Sequence, residues 1–88
     1  MFLLRPKKKT QIMQKKSHNL SKAKINNQYV IDDVISEDQE IINFLFTLGC
    51  FKGEPITLIS ILADNYVIIV KDARYSIDID LAKAIKLL

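Results

Sequence analysis

Seven side chains stand out for chemistry: Cys50, the single cysteine; His18, the single histidine; and Asp32, Asp33, Glu37, Asp38 and Glu40, five acids within a short stretch. Cys50 follows Gly49 at a loop, where a thiolate could meet a soft metal. A closed site needs about four ligands, and no second cysteine or neighbouring histidine is at hand. Free cysteine is among the most buried residue types, so a packed thiol is the plainer reading. His18 sits between Ser17 and Asn19 at the end of a basic stretch and reads as solvated. The acids could gather a hard cation such as iron(II) on oxygen ligands. The same acids also suit the start of a helix, whose dipole favours negative charge there. Cys50, Asp32 and Asp33 are thus the candidate metal residues, and the ligand set is incomplete around each.

Catalysis has less support. A general acid or base needs a partner within hydrogen-bond reach and a pocket, whereas the apolar runs of this chain supply mainly aliphatic side chains. There is no Ser-His-Asp set and no paired thiol. Gly49 and Gly53, the only two glycines, lack the Lys-Ser/Thr that follows the glycines of a phosphate-binding loop. The residues point to a binding protein and away from an enzyme with a cofactor.

The elements that position these residues are legible from period and punctuation. Ser36 with Gln39 three places on fits a capping box, so a helix is expected to start near Glu37. Ile41, Ile42, Phe44, Leu45, Phe46 and Leu48 cover an arc of roughly 200° at helical spacing. Gly49 is placed to end the helix in a left-handed cap. Lys52-Gly53 forms a second turn, and Pro55 fixes the entry to a strand. Strands are expected over Tyr29–Ile35, Ile56–Leu62, Tyr66–Val70, Tyr75–Ile79 and Ile85–Leu87. In the fourth, Tyr75, Ile77 and Ile79 share the dry face and Ser76 and Asp78 the wet one. Asp80 should cap a single helical turn before the last strand. The connections are too brief for parallel crossovers. A mainly β, small α+β fold follows: a partly open antiparallel barrel with one lid helix.

At 88 residues there is room for one domain. The net charge of +3 conceals a division. Residues 1 to 18 hold six of the thirteen cations (Arg5, Lys7, Lys8, Lys9, Lys15 and Lys16) and no acid, leaving seven cations against ten acids in residues 19 to 88. The chain therefore divides into a basic extension, 1–18, without a periodic apolar face, and a domain, 19–88, that folds without it. The six cations could meet an anionic membrane surface at about 1 kcal/mol each, enough for reversible attachment. Nucleic acid ranks behind the membrane, because the acidic domain shows no aromatic-basic stripe. No run is long enough to span a bilayer and the lone cysteine suits a reducing compartment, so a cytoplasmic location is expected.

The ordered set of punctuation resembles the FeoA family of bacterial ferrous iron uptake. The residues that carry the likeness are Leu20-Ser21, Tyr29-Val30-Ile31, Leu45 with Leu48-Gly49, Lys52-Gly53, the hairpin Ile69-Val70-Lys71-Asp72-Ala73-Arg74, Tyr75-Ser76-Ile77 and Ala82-Lys83-Ala84-Ile85. Asn26-Asn27 stands where the family usually has a glycine before the first strand, and asparagine also tolerates positive φ. The resemblance implies an SH3-like barrel, a non-enzymatic cytosolic accessory role, no required cofactor beyond weak transition-metal binding, and a FeoB-type membrane GTPase transporter as partner. The turn Leu48, Gly49, Phe51, Lys52 and Gly53 is the expected docking site, because it projects from the lid helix with an aromatic at its tip; the alternative is that Phe51 folds back onto the helix as an apolar contact of the glycine cap. Alternatives are a metal-responsive regulator-type SH3-like domain, a nucleic-acid accessory acting through the basic tail, and self-association into a homo-oligomer.

Overall fold

The computed structural model describes residues 18–88; readings that concern residues 1 to 17, the membrane-binding cations among them, lie outside the described residues. Five strands form one antiparallel sheet: β1 (Asn27–Val34), β2 (Pro55–Leu62), β3 (Asn65–Val70), β4 (Ala73–Asp78) and β5 (Ile85–Leu87), in the order β4-β3-β2-β1-β5. Helix α1 (Gln39–Leu48) joins β1 to β2, and the short α2 (Ile79–Ala84) joins β4 to β5. This is the mainly β, partly open antiparallel barrel that the strand spacing predicts, and the SH3-like form that the resemblance implies.

Strand β1 bends the sheet. Its first half, Asn27 to Val30, pairs with β2, and its second half, Ile31 to Val34, pairs with β5, with a register irregularity between Ile31 and Asp33. A bulge adds local twist and lets one strand serve two partners around a curve. A second irregularity between Leu58 and Ser60 curls β2 against β3 in the same way. Alternation then fills the concave face: Ile56 and Leu58, Tyr66, Ile68 and Val70, and Ile77 are all buried with Ile31, Leu45 and Ile85.

Several local expectations are corrected. The predicted capping box does not form: Asp38 caps α1 by accepting from the Glu40 N–H at 2.9 Å, and Ser36 Oγ instead accepts from the Asp38 N–H at 3.0 Å. Gln39 turns outward to Asn43. Asp78, not Asp80, caps the second helix, accepting from the Leu81 N–H at 2.9 Å. That helix runs six residues where a single turn was expected, and it takes Ile79 out of the fourth strand. Asp78 and Asp80 could each accept from a helix N-terminus; the helix begins at Ile79, which puts Asp78 at the cap position.

At the start of the described residues, His18 is not the solvated side chain expected. His18 is packed, its ring edge-on to Tyr29 at 5.6 Å, and its carbonyl accepts from the Leu87 N–H at 3.1 Å. Asn19 bridges to Lys86, and a 3-10 turn at Leu20–Lys22 then drops Leu20 into the core with no exposed surface. The turn is invisible to periodicity because it is three residues long.

Candidate docking site

The loop between α1 and β2 is built by backbone hydrogen bonds. Gly49, at φ 98°, ends the helix in the left-handed region, with its N–H bonded to the Phe46 carbonyl at 3.0 Å and the Cys50 N–H bonded to the Leu45 carbonyl at 3.0 Å. That is the Schellman pairing, which satisfies carbonyls a helix end leaves open. Its apolar half is supplied by Cys50 and Leu45, both wholly buried in the core. Next comes a turn over Phe51 to Glu54, closed by the Glu54 N–H on the Phe51 carbonyl at 3.0 Å, with Gly53 at φ 89°. The positive φ at its third position is the type II requirement for glycine. The Gly53 N–H on the Ile31 carbonyl (2.7 Å) and the Ile31 N–H on the Glu54 carbonyl (3.0 Å) fasten the loop to β1.

Phe51 follows the cap and stays 44% exposed. Its ring lies against Phe46 of the last helical turn, centroids 5.4 Å apart and planes tilted by 36°. Phe46 is itself 43% exposed, so the wide apolar arc of α1 does not all reach the core. Leu45 is buried, Ile41, Ile42 and Leu48 are packed against the core, and Phe44 and Phe46 look outward. The helix is too far round for its whole arc to meet a curled sheet.

Lys71 completes the arrangement from the β3–β4 hairpin. Lys71 and Asp72 form a two-residue loop, both with positive φ, between the paired residues Val70 and Ala73. This is a I′-type turn made without glycine. The Lys71 stem passes directly over the Gly49 backbone, its Nζ pairs with Glu54 Oε1 at 3.2 Å, and the same nitrogen lies 6.0 Å above the Phe51 ring. The partly exposed ion pair contributes little stability on its own, about 1 kcal/mol or less; its effect is to hold the aromatic pair and the lysine in one patch. Beside this patch lies an open depression of about 270 Å³, lined by Gln28, Glu54, Pro55, Thr57, Ile69, Lys71 and Asp72.

Of the residues singled out in the sequence, Gly49, Phe51, Lys52 and Gly53 fall on one loop, and Leu48 is the last residue of the helix that leads into it. Phe46, Glu54 and Lys71 join them and were missed, Phe46 because it counted toward the buried arc and Lys71 because it is remote in sequence. The signal for Lys71 was its position between two strand-forming runs.

The candidate metal residues do not come together. Among the described residues no three of His, Cys, Asp and Glu are grouped as a metal would require. Asp33 Oδ1 accepts from the Val34 N–H at 2.8 Å and Asp38 caps α1. Cys50 is wholly buried, and burial, reinforced by the negative charge of Glu54, pushes its thiol up from 9.0 to about 11. The thiol is therefore protonated at neutral pH, the wrong form for a ligand or nucleophile. The shift carries a stability consequence with a definite sign. Below pH 9 both folded and unfolded chains keep the proton and the contribution is intact; as pH rises toward 11 the unfolded thiol ionises first and stability is lost. Unfolding free energy should fall by about 2 kcal/mol across that window from Cys50. Urea titrations at pH 8.5 and 11 check this: Cys50→Ala should flatten the difference, and an unchanged slope would remove Cys50 as its source.

The model of the FeoA domain matches residues 18–87. The chain belongs to the FeoA family. The match takes in His18 and the 3-10 turn at Leu20–Lys22. Among solved structures, Stenotrophomonas maltophilia FeoA, complexed with zinc and suggested to be a bacterial ferrous iron transport activating factor, superposes with a TM-score of 0.71 at 21% identity, covering 80% of this chain and 88% of that one. A FeoA-like protein from Clostridium acetobutylicum superposes with a TM-score of 0.74 at 16% identity over 83% of this chain and 86% of that one. A manganese-dependent transcriptional repressor reaches 0.75 at 11% identity, over 81% of this chain but 40% of its own. At these identities the superpositions establish a shared SH3-like fold. No curated protein matches the chain significantly.

Proposed function

We propose that this FeoA-family chain is a non-enzymatic accessory of ferrous iron uptake, working from the cytosolic side by docking onto a FeoB-type membrane GTPase transporter. Membership of the family supplies the iron-transport context. The observation that supports docking is the Phe46–Phe51 pair, held exposed at a loop that backbone bonds and the Lys71 stem keep in one shape. Exposed aromatics on a rigid support lose little entropy on contact and commonly anchor interfaces. Among the described residues no helix is long and apolar enough to cross a membrane.

Phe51→Ala tests the site. Binding of the full chain to the cytosolic part of the transporter, measured by calorimetry, should weaken by about tenfold or more. Because the ring is already half exposed, the melting temperature should move little, with a stability cost of about 1 kcal/mol. Retained affinity with a large drop in melting temperature would instead make Phe51 a helix-capping residue and remove this loop as the docking site.

A further inference from the structure

The two ends of the sheet are treated differently. Beyond β5, the backbone of His18 and Asn19 continues the pairing, through the Leu87 N–H and the Asn19–Lys86 bridge. Beyond β4 nothing pairs among the described residues, so its outer edge presents open backbone groups. Which groups these are follows from the hairpin. In a two-residue I′ loop the flanking pair, here Val70 and Ala73, exchanges both ladder bonds. Counting by twos along the β3–β4 register, Tyr75 and Ile77 also bond inward. The N–H and C=O of Arg74 and Ser76, and the N–H of Asp78, therefore point away from the sheet. The Asp78 carbonyl turns into the first turn of α2, which Asp78 caps.

An open edge accepts another strand, and the side chains on it limit which strand fits. The sequence Arg74-Tyr75-Ser76-Ile77-Asp78 is complementary to itself when reversed. Two antiparallel copies centred on Ser76 set Ser76 opposite Ser76, Tyr75 opposite Ile77, and Arg74 opposite Asp78 at both ends. Arg74, Ser76 and Asp78 are all exposed on one face, while half-buried Tyr75 and buried Ile77 lie on the other. Each opposing pair is thus of a favourable kind: opposite charges twice, aromatic with β-branched twice. The neighbouring registers are worse. A shift of one pair toward the hairpin brings Asp78 opposite Asp72, and a further shift brings Arg74 opposite Arg74. A shift the other way carries Arg74 past the end of the strand. Odd shifts oppose an outward residue to an inward one, and the ladder cannot form.

We propose that the outer edge of β4 pairs with the same edge of a second copy of this chain, forming a two-fold, ten-stranded sheet. The charges that blunt this edge toward other strands are those that pair when the chain meets itself. The dyad supplies two backbone bonds between the Ser76 residues and two from the Asp78 N–H groups to the Arg74 carbonyls. A contact one strand wide is small, so association is weak, with a Kd of about 10 µM to 1 mM. It uses neither Phe46 nor Phe51 and stands independently of the transporter reading.

Sedimentation equilibrium of the full chain over this concentration range is the test. A monomer–dimer equilibrium that weakens with added salt is expected. Ser76→Pro removes an outward N–H without touching the β3–β4 ladder and should weaken dimerisation at least tenfold. Arg74→Glu places like charges opposite each other and should do the same; it also decides the matter if Ser76→Pro does not fold. Amide exchange at Ser76 and Asp78 should slow as concentration rises. A chain that remains monomeric at about 1 mM overturns the proposal, as does a dimer unchanged by both substitutions or one lost instead with Phe51→Ala.

Discussion

Leu45→Ala is expected to lower the unfolding free energy by about 2 to 5 kcal/mol, the usual cost of removing a fully buried leucine and leaving part of its space unfilled. Leu45 is the one wholly buried side chain of α1, so most of the fixed attachment of the helix to the sheet passes through it. Its carbonyl also receives the Cys50 N–H, so displacement of this turn disturbs the cap and the loop that carries Phe51. For a domain of this size, total stability is on the order of 4 to 10 kcal/mol, and the substitution removes a large share of it. Urea denaturation followed by circular dichroism gives the number. Phe44→Ala is the control: that side chain, in the same helix, is 48% exposed, and its loss should cost about 1 kcal/mol or less. Equal costs at the two positions would mean that α1 is not anchored as described.

Gly49→Ala is expected to cost about 1 to 3 kcal/mol, from two separable sources. The first is φ 98°, a conformation that a residue with a Cβ adopts only under strain. The second is contact: an added Cβ would lie 2.7 Å from Lys71 Cδ and 3.1 Å from Cε, forcing the lysine stem off the loop. Gly53, at φ 89°, has nothing within 4 Å of the same position, so Gly53→Ala should show the backbone cost alone. Lys71→Ala in the Gly49→Ala background should recover the contact part, which a double-mutant cycle reads directly. Displacing Lys71 also separates it from Glu54 and from the Phe51 ring. Partner binding should therefore weaken in Gly49→Ala even where the protein remains folded. If the Gly49 and Gly53 substitutions cost the same and the cycle shows no coupling, the stem of Lys71 does not press on the loop.

How much of this was legible in the sequence depended on how local the cause was. The strands at Ile56 to Leu62 and Tyr66 to Val70 follow from β-branched runs bounded by turn residues. Helix α1 follows from apolar spacing, and its end from a glycine that the left-handed cap requires; each cause lies within a few residues of its effect. The wet and dry faces of β4 were legible for the same reason. The caps were not, because Ser36, Asp38, Asp78 and Asp80 can all accept from a helix N-terminus, and the direction in which the chain leaves the preceding strand selects among them. The 3-10 turn was too short to show a period.

The docking loop was half legible. Turn chemistry placed Gly49, Phe51, Lys52 and Gly53 together, since those residues are consecutive or nearly so. Only the tertiary structure brought Lys71 from a different hairpin across Gly49, and only the curvature of the sheet decided that Phe46 would face solvent while Leu45 did not. The sequence by itself determined the order of the five strands and two helices, the family, and the uneven charge of residues 1–18 and 19–88. The folded chain decided that Cys50 lies in the core, that the acids near Asp32 and Asp33 do not converge, and that β4 has no strand beyond it among the described residues. Those outcomes depend on which strands become neighbours, and neighbours are set by closure of the whole sheet, a long-range property that no window of adjacent residues contains.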